Sequence, residues 1–148
     1  FVTGPLGGSA TGLELLRTDR FAVGPFVNRH LRPTARLKEA KGISMAGATS
    51  AIDVSDGLVA DLNHICENSG LGAVLSDIPV ALGASSETAM YGGEDYELIF
   101  SHSDPDRVES VFASLGLDPP LLIGRLRSHP GITFRGEEIE LRGYQHDL

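Results

Sequence analysis

The sequence contains no tryptophan and a single cysteine, Cys66, among its 148 residues. One cysteine cannot form a disulfide within the chain, so the fold depends on noncovalent packing. Basic residues are also scarce, since 12 lysines and arginines stand against 20 acidic residues, for a formal net charge of −8. A nucleic-acid surface needs a basic stripe, so this balance argues against one. No apolar run approaches the roughly 20 residues of a membrane span. No secretory leader opens the chain, and we therefore expect a cytoplasmic protein.

Enough apolar sequence is present for one sizeable core. Hydrophobic residues make up 41% of the chain and charged residues 22%, which is ordinary for a folded domain. The length suits a single domain. Helical and strand patterns alternate irregularly and a hairpin pattern lies near the end, which favours an α+β fold with helices packed on one sheet.

Several elements follow from hydrophobic spacing and from capping residues. The helix after Gly57 has the clearest apolar face, ends at Gly70, and places Asp61 outside that face. Ser9 and Asp104 are predicted to cap two further helices. Residues 80–90 have no clear period. The remaining predictions are a helix at 33–41, strands at 48–54, 72–78, 96–101 and 121–126, and a hairpin joining 132–134 to 139–141.

The first acidic segment, residues 51–58, reads Ala-Ile-Asp-Val-Ser-Asp-Gly-Leu. It joins a predicted buried strand to the start of a helix. Free N–H groups at a helix start suit phosphate, and the carboxylates of Asp53 and Asp56 suit Mg²⁺. The residues alone leave an alternative open, in which Ser55 or Asp56 only caps the helix.

The second acidic segment, residues 91–98, reads Tyr-Gly-Gly-Glu-Asp-Tyr-Glu-Leu. Its glycines allow a positive φ or the close approach of a ligand to the backbone. Glu94 and Asp95 are candidates to bind a cation or a substrate amine. A tight turn with solvated acids is the alternative.

The glycine-rich segment, residues 3–10, reads Thr-Gly-Pro-Leu-Gly-Gly-Ser-Ala. It lacks the Lys-Ser/Thr of a Walker A loop and the full dinucleotide-binding fingerprint, so a hinge is the simpler interpretation. The five histidines form no metal-binding pair by spacing, which argues against zinc. No recognised nucleophile pattern supports covalent catalysis.

Taken together, the three segments resemble the C-terminal half of thiamine-monophosphate kinases. The tetrapeptide His-Leu-Arg-Pro at 30–33 and the ending Gly-Tyr-Gln-His at 143–146 add to the likeness, which spans nearly the whole chain. The resemblance implies that residues 1–148 form the single C-terminal domain of a two-domain enzyme whose N-terminal domain is absent from this chain. It also implies an α/β sandwich with a mainly antiparallel, partly ferredoxin-like sheet, as in aminoimidazole ribonucleotide synthetase.

The same resemblance implies a reaction. Thiamine-monophosphate kinases move the γ-phosphate of ATP directly onto thiamine monophosphate to give thiamine diphosphate, with several Mg²⁺ ions held mostly by the N-terminal domain. The full-length enzyme is expected to be a homodimer, joined mainly through its N-terminal domains. We expect the isolated chain to fold but not to catalyse transfer, because positioning and neutralising both phosphates needs the other half.

Particular residues match the family's functional positions. Asp53 and Asp56 match metal ligands, and Ser55 matches a nucleotide contact. Glu94 and Tyr144 match substrate contacts, suited to the aminopyrimidine and the cationic aromatic thiazolium of thiamine. No catalytic residue is assigned.

Two departures accompany the resemblance. The stretch from Ile78 to Tyr91 is shorter than in relatives, which carry a further helix there, and Tyr144-Gln145 stands where Trp-Asp is commoner. Two alternatives stay open at this point. One is another ATP-using enzyme of the superfamily, of the selenophosphate synthetase or hydrogenase-maturation type. The other is a non-catalytic ligand-binding module on the same fold.

Overall fold

The computed structural model describes residues 1–142, which form helices and short strands in mixed order. The helices are α1 (Gly8–Thr18), α2 (Pro25–Leu31), α3 (Leu37–Ala46), α4 (Leu58–Ser69), α5 (Ser86–Tyr91) and α6 (Pro105–Ser114). The strands are β1 (Ser50–Asp53), β2 (Gly72–Leu75), β3 (Leu98–Ser101), β4 (Gly124–Arg127), β5 (Ile132–Phe134) and β6 (Glu137–Glu138).

The strands divide into two sheets. β1 pairs antiparallel with β3, and a four-stranded sheet has the order β4-β2-β5-β6, in which only the β2–β5 pair is parallel. Val2 bridges Ile99 on one side and Leu121 on the other, and so links the β3 region to the chain that leads into β4. The predicted α+β class and mainly antiparallel pairing are confirmed. The expectation of one sheet was wrong, because pairing between the two sheets is limited to these bridges.

Most of the buried apolar residues form two clusters, and helix α4 supplies much of the larger one. Its five predicted core residues, Leu58, Val59, Leu62, Ile65 and Cys66, are all buried. Burial raises the pKa of the Cys66 thiol, which fits an inert core residue. α3 and α6 pack on β3 in a second cluster centred on aromatic side chains. The predicted stop signal of α4 and the predicted start signal of α6 are also confirmed, with a left-handed glycine at position 70 and a carboxylate cap at position 104.

Other boundaries differ from the predictions. The helix predicted at 33–41 lies at Leu37–Ala46, and strand 48–54 is shorter, with every second residue exposed rather than buried throughout. Helix α2 was not predicted, and a short helix, α5, occupies the stretch that has no clear period. The hairpin near the end is confirmed, but its turn is only Arg135-Gly136, where both residues have positive φ.

Helix α1 does not begin as predicted. Its N-cap is Gly7, with φ of 87°, and Ser9 lies inside the first turn with its side chain buried. The buried face of α1 consists of the small residues Gly8, Ser9 and Gly12, whereas Leu15 is largely exposed. Small residues let the backbone of α2 come close.

The contact at Gly12 gives the first testable prediction. A Cβ added there would lie 2.1 Å from the carbonyl oxygen of Phe26 in α2. Gly12→Ala should therefore destabilise the chain by about 1–3 kcal/mol, although alanine is the better helix former by about 1 kcal/mol. Gly42→Ala in α3 is the matched control, because its new methyl group meets side-chain atoms of Phe112 and Leu115 at 3.1 and 3.4 Å and no backbone carbonyl at 2.1 Å. Urea melts that rank the two variants equally would contradict this packing argument.

Candidate functional site

The two acidic segments lie side by side and form one hydrogen-bonded unit. The amide of Val54 donates to Glu97 O at 2.8 Å. In return, the amides of Glu94 and Tyr96 donate to Ser55 O and Val54 O, both at 2.9 Å. β1 and β3 continue this pairing, so the sheet register fixes which residues of the two segments face each other. The structure thus brings together the two segments that carry Asp53, Ser55, Asp56 and Glu94.

Asp61 holds the turn of the first acidic segment. Its Oδ2 accepts the amides of Ser55 and Asp56 at 2.9 Å and that of Gly57 at 3.1 Å. Asp61 is buried, which corrects its predicted place outside the buried face of α4. Burial raises the pKa of its carboxyl group, although the three amide hydrogen bonds act in the opposite direction. These three amides precede α4, and the first-turn amides of the helix itself, at residues 58–60, are not among the donors to Asp61. The suitability of the helix start for phosphate therefore stays a prediction.

One group of potential metal ligands is found among residues 1–142. Asp56, Asp61 and His64 each offer an atom within 4.8 Å of the others'. Asp56 was predicted, whereas His64 was missed because it forms a metal pair with no other histidine by spacing. Asp53 lies exposed at the end of β1, outside this group of three. Asp53 nevertheless leads directly into the turn that carries Asp56, whose backbone Asp61 holds.

Asp95 is a structural anchor and not a free ligand. Its carboxylate is buried, accepts the amides of Gly7 and Ser9, and pairs with Arg29 Nε at 3.2 Å. The carboxylate therefore caps α1 from a distant part of the chain. Burial raises the pKa of Asp95, opposed by the two amides and the guanidinium. Its predicted role as a cation or amine ligand was wrong.

Glu97 is a second anchor that the sequence reasoning missed. It is fully buried and accepts the Thr3 hydroxyl at 2.6 Å. Its Oε1 also lies 2.9 Å from Arg29 and 2.5 Å from Arg36. Asp95 and Glu97 both contact Arg29, but Tyr96 between them has a left-handed φ of 51°, so the alternation of an extended strand gives no signal for these two anchors.

Glu94 lies beside a small cavity. Its backbone has φ of 64°, a left-handed conformation that is rare outside glycine. Its side chain is 38% exposed and lines a cavity of about 210 Å³. The cavity is also lined by Arg17, His30, Glu87, Tyr91, Gly92 and Gly93. Gly92 and Gly93 thus form part of a concave wall, but neither has a positive φ, and a ligand lying against their backbone stays a prediction.

The last described residues run past the same cavity. Arg142 lies 4.2 Å over the ring of Tyr91 and pairs with Glu87 at 2.7 Å. Both partners line the cavity, so the chain reaches this side of the molecule just before residue 143. Tyr144, the predicted aromatic contact, lies outside the described residues.

Three curated relatives show what the chain is similar to. Thiamine-monophosphate kinase of Aquifex aeolicus is 37% identical, with 99% of this chain and 50% of the relative aligned. The Escherichia coli K12 enzyme of the same name is 35% identical, with 99% and 51% aligned, and the Bacillus subtilis enzyme is 31% identical over the same shares. The chain spans about half the length of these curated relatives. No family model matches the sequence.

Solved structures agree with this comparison. The structure of AaThiL complexed with AMPPCP and TMP has a TM-score of 0.81 at 35% identity, covering 99% of this chain and 50% of that one. Thiamine-monophosphate kinase from Stenotrophomonas maltophilia K279a has a TM-score of 0.80 at 31% identity, covering 93% and 50%. Among residues 1–142, the helices are too short or too polar to cross a membrane.

Proposed function

The chain belongs over its whole length to the thiamine-monophosphate kinase family, and on that premise we propose that the full-length protein phosphorylates thiamine monophosphate with ATP. The reaction passes the γ-phosphate directly to the acceptor and yields thiamine diphosphate. One observation carries the proposal: a single hydrogen-bonded unit holds the acidic turn of residues 53–56 and the cavity-facing Glu94. A structural relative was solved with AMPPCP and TMP together, which supports two substrates on this fold.

The acidic turn suits Mg²⁺. Carboxylate oxygens are the donors that this ion prefers, and Asp53 and Asp56 present two of them on a turn fixed by Asp61. We assign Asp53 and Asp56 as ligands in this chain, with Asp61 holding the backbone of Asp56 and the pairing of β1 with β3 holding that of Asp53. When bound, Mg²⁺ neutralises phosphate charge and aligns the transferring group. With its amide engaged by Asp61, Ser55 would contact the nucleotide through its side-chain hydroxyl.

The cavity beside Glu94 suits the thiamine end of the acceptor. Thiamine carries a cationic thiazolium and an aminopyrimidine, and the cavity offers carboxylates and the aromatic ring of Tyr91. A carboxylate accepts hydrogen bonds from an amine, and an aromatic face attracts a cationic ring. Tyr144 remains our second candidate for that aromatic contact.

The remaining half of the protein completes the proposed enzyme. Transfer between two polyanions needs more neutralising groups than the turn at residues 53–56 offers, so most Mg²⁺ ligands would lie in an N-terminal domain. We therefore propose that residues 1–148 form a C-terminal domain that is inactive alone. Homodimerisation through the N-terminal domains and a cytoplasmic location, where ATP is available, belong to the same proposal.

The decisive experiment is an assay of the full-length protein with Mg·ATP and thiamine monophosphate. We expect thiamine diphosphate and ADP in equal amounts, and no product from the 148-residue chain despite a cooperative melt. Aminoimidazole precursors and selenide replace the acceptor in parallel reactions. Turnover with one of these and none with thiamine monophosphate would assign another activity of the superfamily. Binding of thiamine monophosphate without any turnover would instead favour a non-catalytic module.

A further inference from the structure

His30 connects the buried start of α1 to the carboxylate of Glu94. Its Nδ1 lies 3.3 Å from Glu94 Oε2 and 3.0 Å from Ser9 Oγ. The imidazole is largely buried, with 16% of the side chain exposed, and it lines the same cavity as Glu94. One ring nitrogen therefore serves a fixed core hydroxyl and a half-exposed carboxylate.

The two contacts of Nδ1 differ in kind, because the pair with Ser9 Oγ has hydrogen-bond geometry, whereas the Glu94 carboxylate lies at ion-pair distance. A carboxylate is a stronger acceptor than a hydroxyl, so a proton on Nδ1 would be drawn to Glu94 once that side chain turns towards the ring. Ser9 is fully buried in the first turn of α1, which itself is tied to Asp95. Ser9 therefore supplies a rigid reference point for the ring.

Glu94 needs such a support. Its backbone is held in the left-handed region by the bond from its amide to Ser55 O, but its side chain has three rotatable bonds and reaches towards solvent. A free glutamate side chain loses rotamer entropy when a ligand orders it, and a prior hydrogen bond reduces that loss.

We propose that His30 is a positioning residue, which holds the Glu94 carboxylate towards the cavity through Nδ1–H and so sets the affinity for the amine-bearing acceptor. This inference rests on the proposed function, in which Glu94 contacts thiamine monophosphate. His30 itself acts through Glu94 and touches neither phosphate.

Two amide substitutions at position 30 distinguish a role of Nδ1 from a role of Nε2. Asparagine at position 30 places an N–H donor where Nδ1 stands, whereas glutamine places its amide nearer the position of Nε2. His30→Gln in the full-length protein should weaken thiamine monophosphate binding and raise its KM about tenfold, the usual effect of losing a hydrogen bond to a charged group. The KM for ATP should not change. The KM of His30→Asn for thiamine monophosphate should stay within about threefold of the wild-type value.

A double-variant cycle distinguishes positioning from general support of the fold. In a Glu94→Gln background, His30→Gln should add no further loss of thiamine monophosphate affinity, because its effect passes through Glu94. Equal losses in His30→Asn and His30→Gln would overturn the proposal, as would losses that add fully in the double variant. Thermal melts of all variants show whether a loss reflects unfolding.

Dissociation constants measured by calorimetry allow the role of His30 to be tested separately from the proposed kinase activity. A wild-type protein that binds thiamine monophosphate but fails to phosphorylate it would overturn the proposed activity, while the cycle of dissociation constants still decides the role of His30. A wild-type protein that does not bind thiamine monophosphate would overturn both.

Discussion

Glu97→Gln should be among the most destabilising single substitutions in this chain, with a loss of about 3 kcal/mol or more in the free energy of unfolding. The buried carboxylate balances two guanidinium groups, those of Arg29 and Arg36, and accepts the Thr3 hydroxyl. Removing one member of a buried ion pair is strongly destabilising. Arg29 would keep Asp95 and Arg36 would keep Glu39 at 3.7 Å, but each guanidinium would lose its nearest carboxylate. An amide of nearly the same shape also directs N–H donors at groups that are themselves donors. Equilibrium unfolding in urea measures the loss.

Glu87→Gln is the matched control for Glu97→Gln. Glu87 also pairs with an arginine, Arg142, but both of these side chains are more than half exposed. Water screens such a pair, so the unfolding midpoint should not move measurably. Equal effects of the two substitutions would show that the buried network contributes no more than a surface pair.

Asp56→Asn and Asp53→Asn should each lower the kcat of the full-length protein roughly a hundredfold or more. Each change removes a negative oxygen ligand from the proposed magnesium site while keeping the size of the side chain. The fold should persist, because Asp61 binds the turn through the amides of residues 55–57, which both variants keep. Steady-state assays at saturating Mg²⁺, with thermal melts alongside, separate the two effects.

Asp106→Asn serves as the control for these two variants. Asp106 is exposed in the first turn of α6, away from both acidic segments. The kcat of Asp106→Asn should match that of the wild type. Wild-type turnover in Asp53→Asn or Asp56→Asn would remove the metal role from that residue, and a loss of the cooperative melt would show that the carboxylate supports the fold instead.

Helix α4 and the start of α6 could be predicted from sequence because one local pattern determines each. In α4, large apolar residues recur at helical spacing and a glycine ends the run, and the structure follows both signals. α1 could not be predicted in the same way, because its buried face is made of small residues. These residues are buried only because a neighbouring helix, α2, packs closely against them. The N-terminus of α1 is capped by Asp95, which is 88 positions from Gly7. No local pattern carries that information.

The candidate site also combines residues that could be predicted from sequence with residues that could not. Resemblance identified Asp53, Asp56 and Glu94, and the structure brings their segments together. The partners that hold these residues were not predicted, because a buried carboxylate and a solvated one look alike in a sequence. Glu97 is the example, since its donors from Thr3, Arg29 and Arg36 are brought to it only by the tertiary fold. Asp61 differs, because its three donors lie four to six positions upstream in the turn that precedes its own helix.

The backbone pairing between the two acidic segments has a thermodynamic consequence. Asp56 and Glu94 lie on two segments that are joined by the hydrogen bond from Glu94 N to Ser55 O, so ordering one segment also orders the other. If Mg²⁺ rests on the first segment and thiamine monophosphate on the second, as we propose, the first ligand to bind bears the entropy loss for both. The two affinities are then linked, and reciprocity requires that each ligand tighten the other by the same factor. Saturating Mg²⁺ would thus lower the dissociation constant of thiamine monophosphate even without nucleotide.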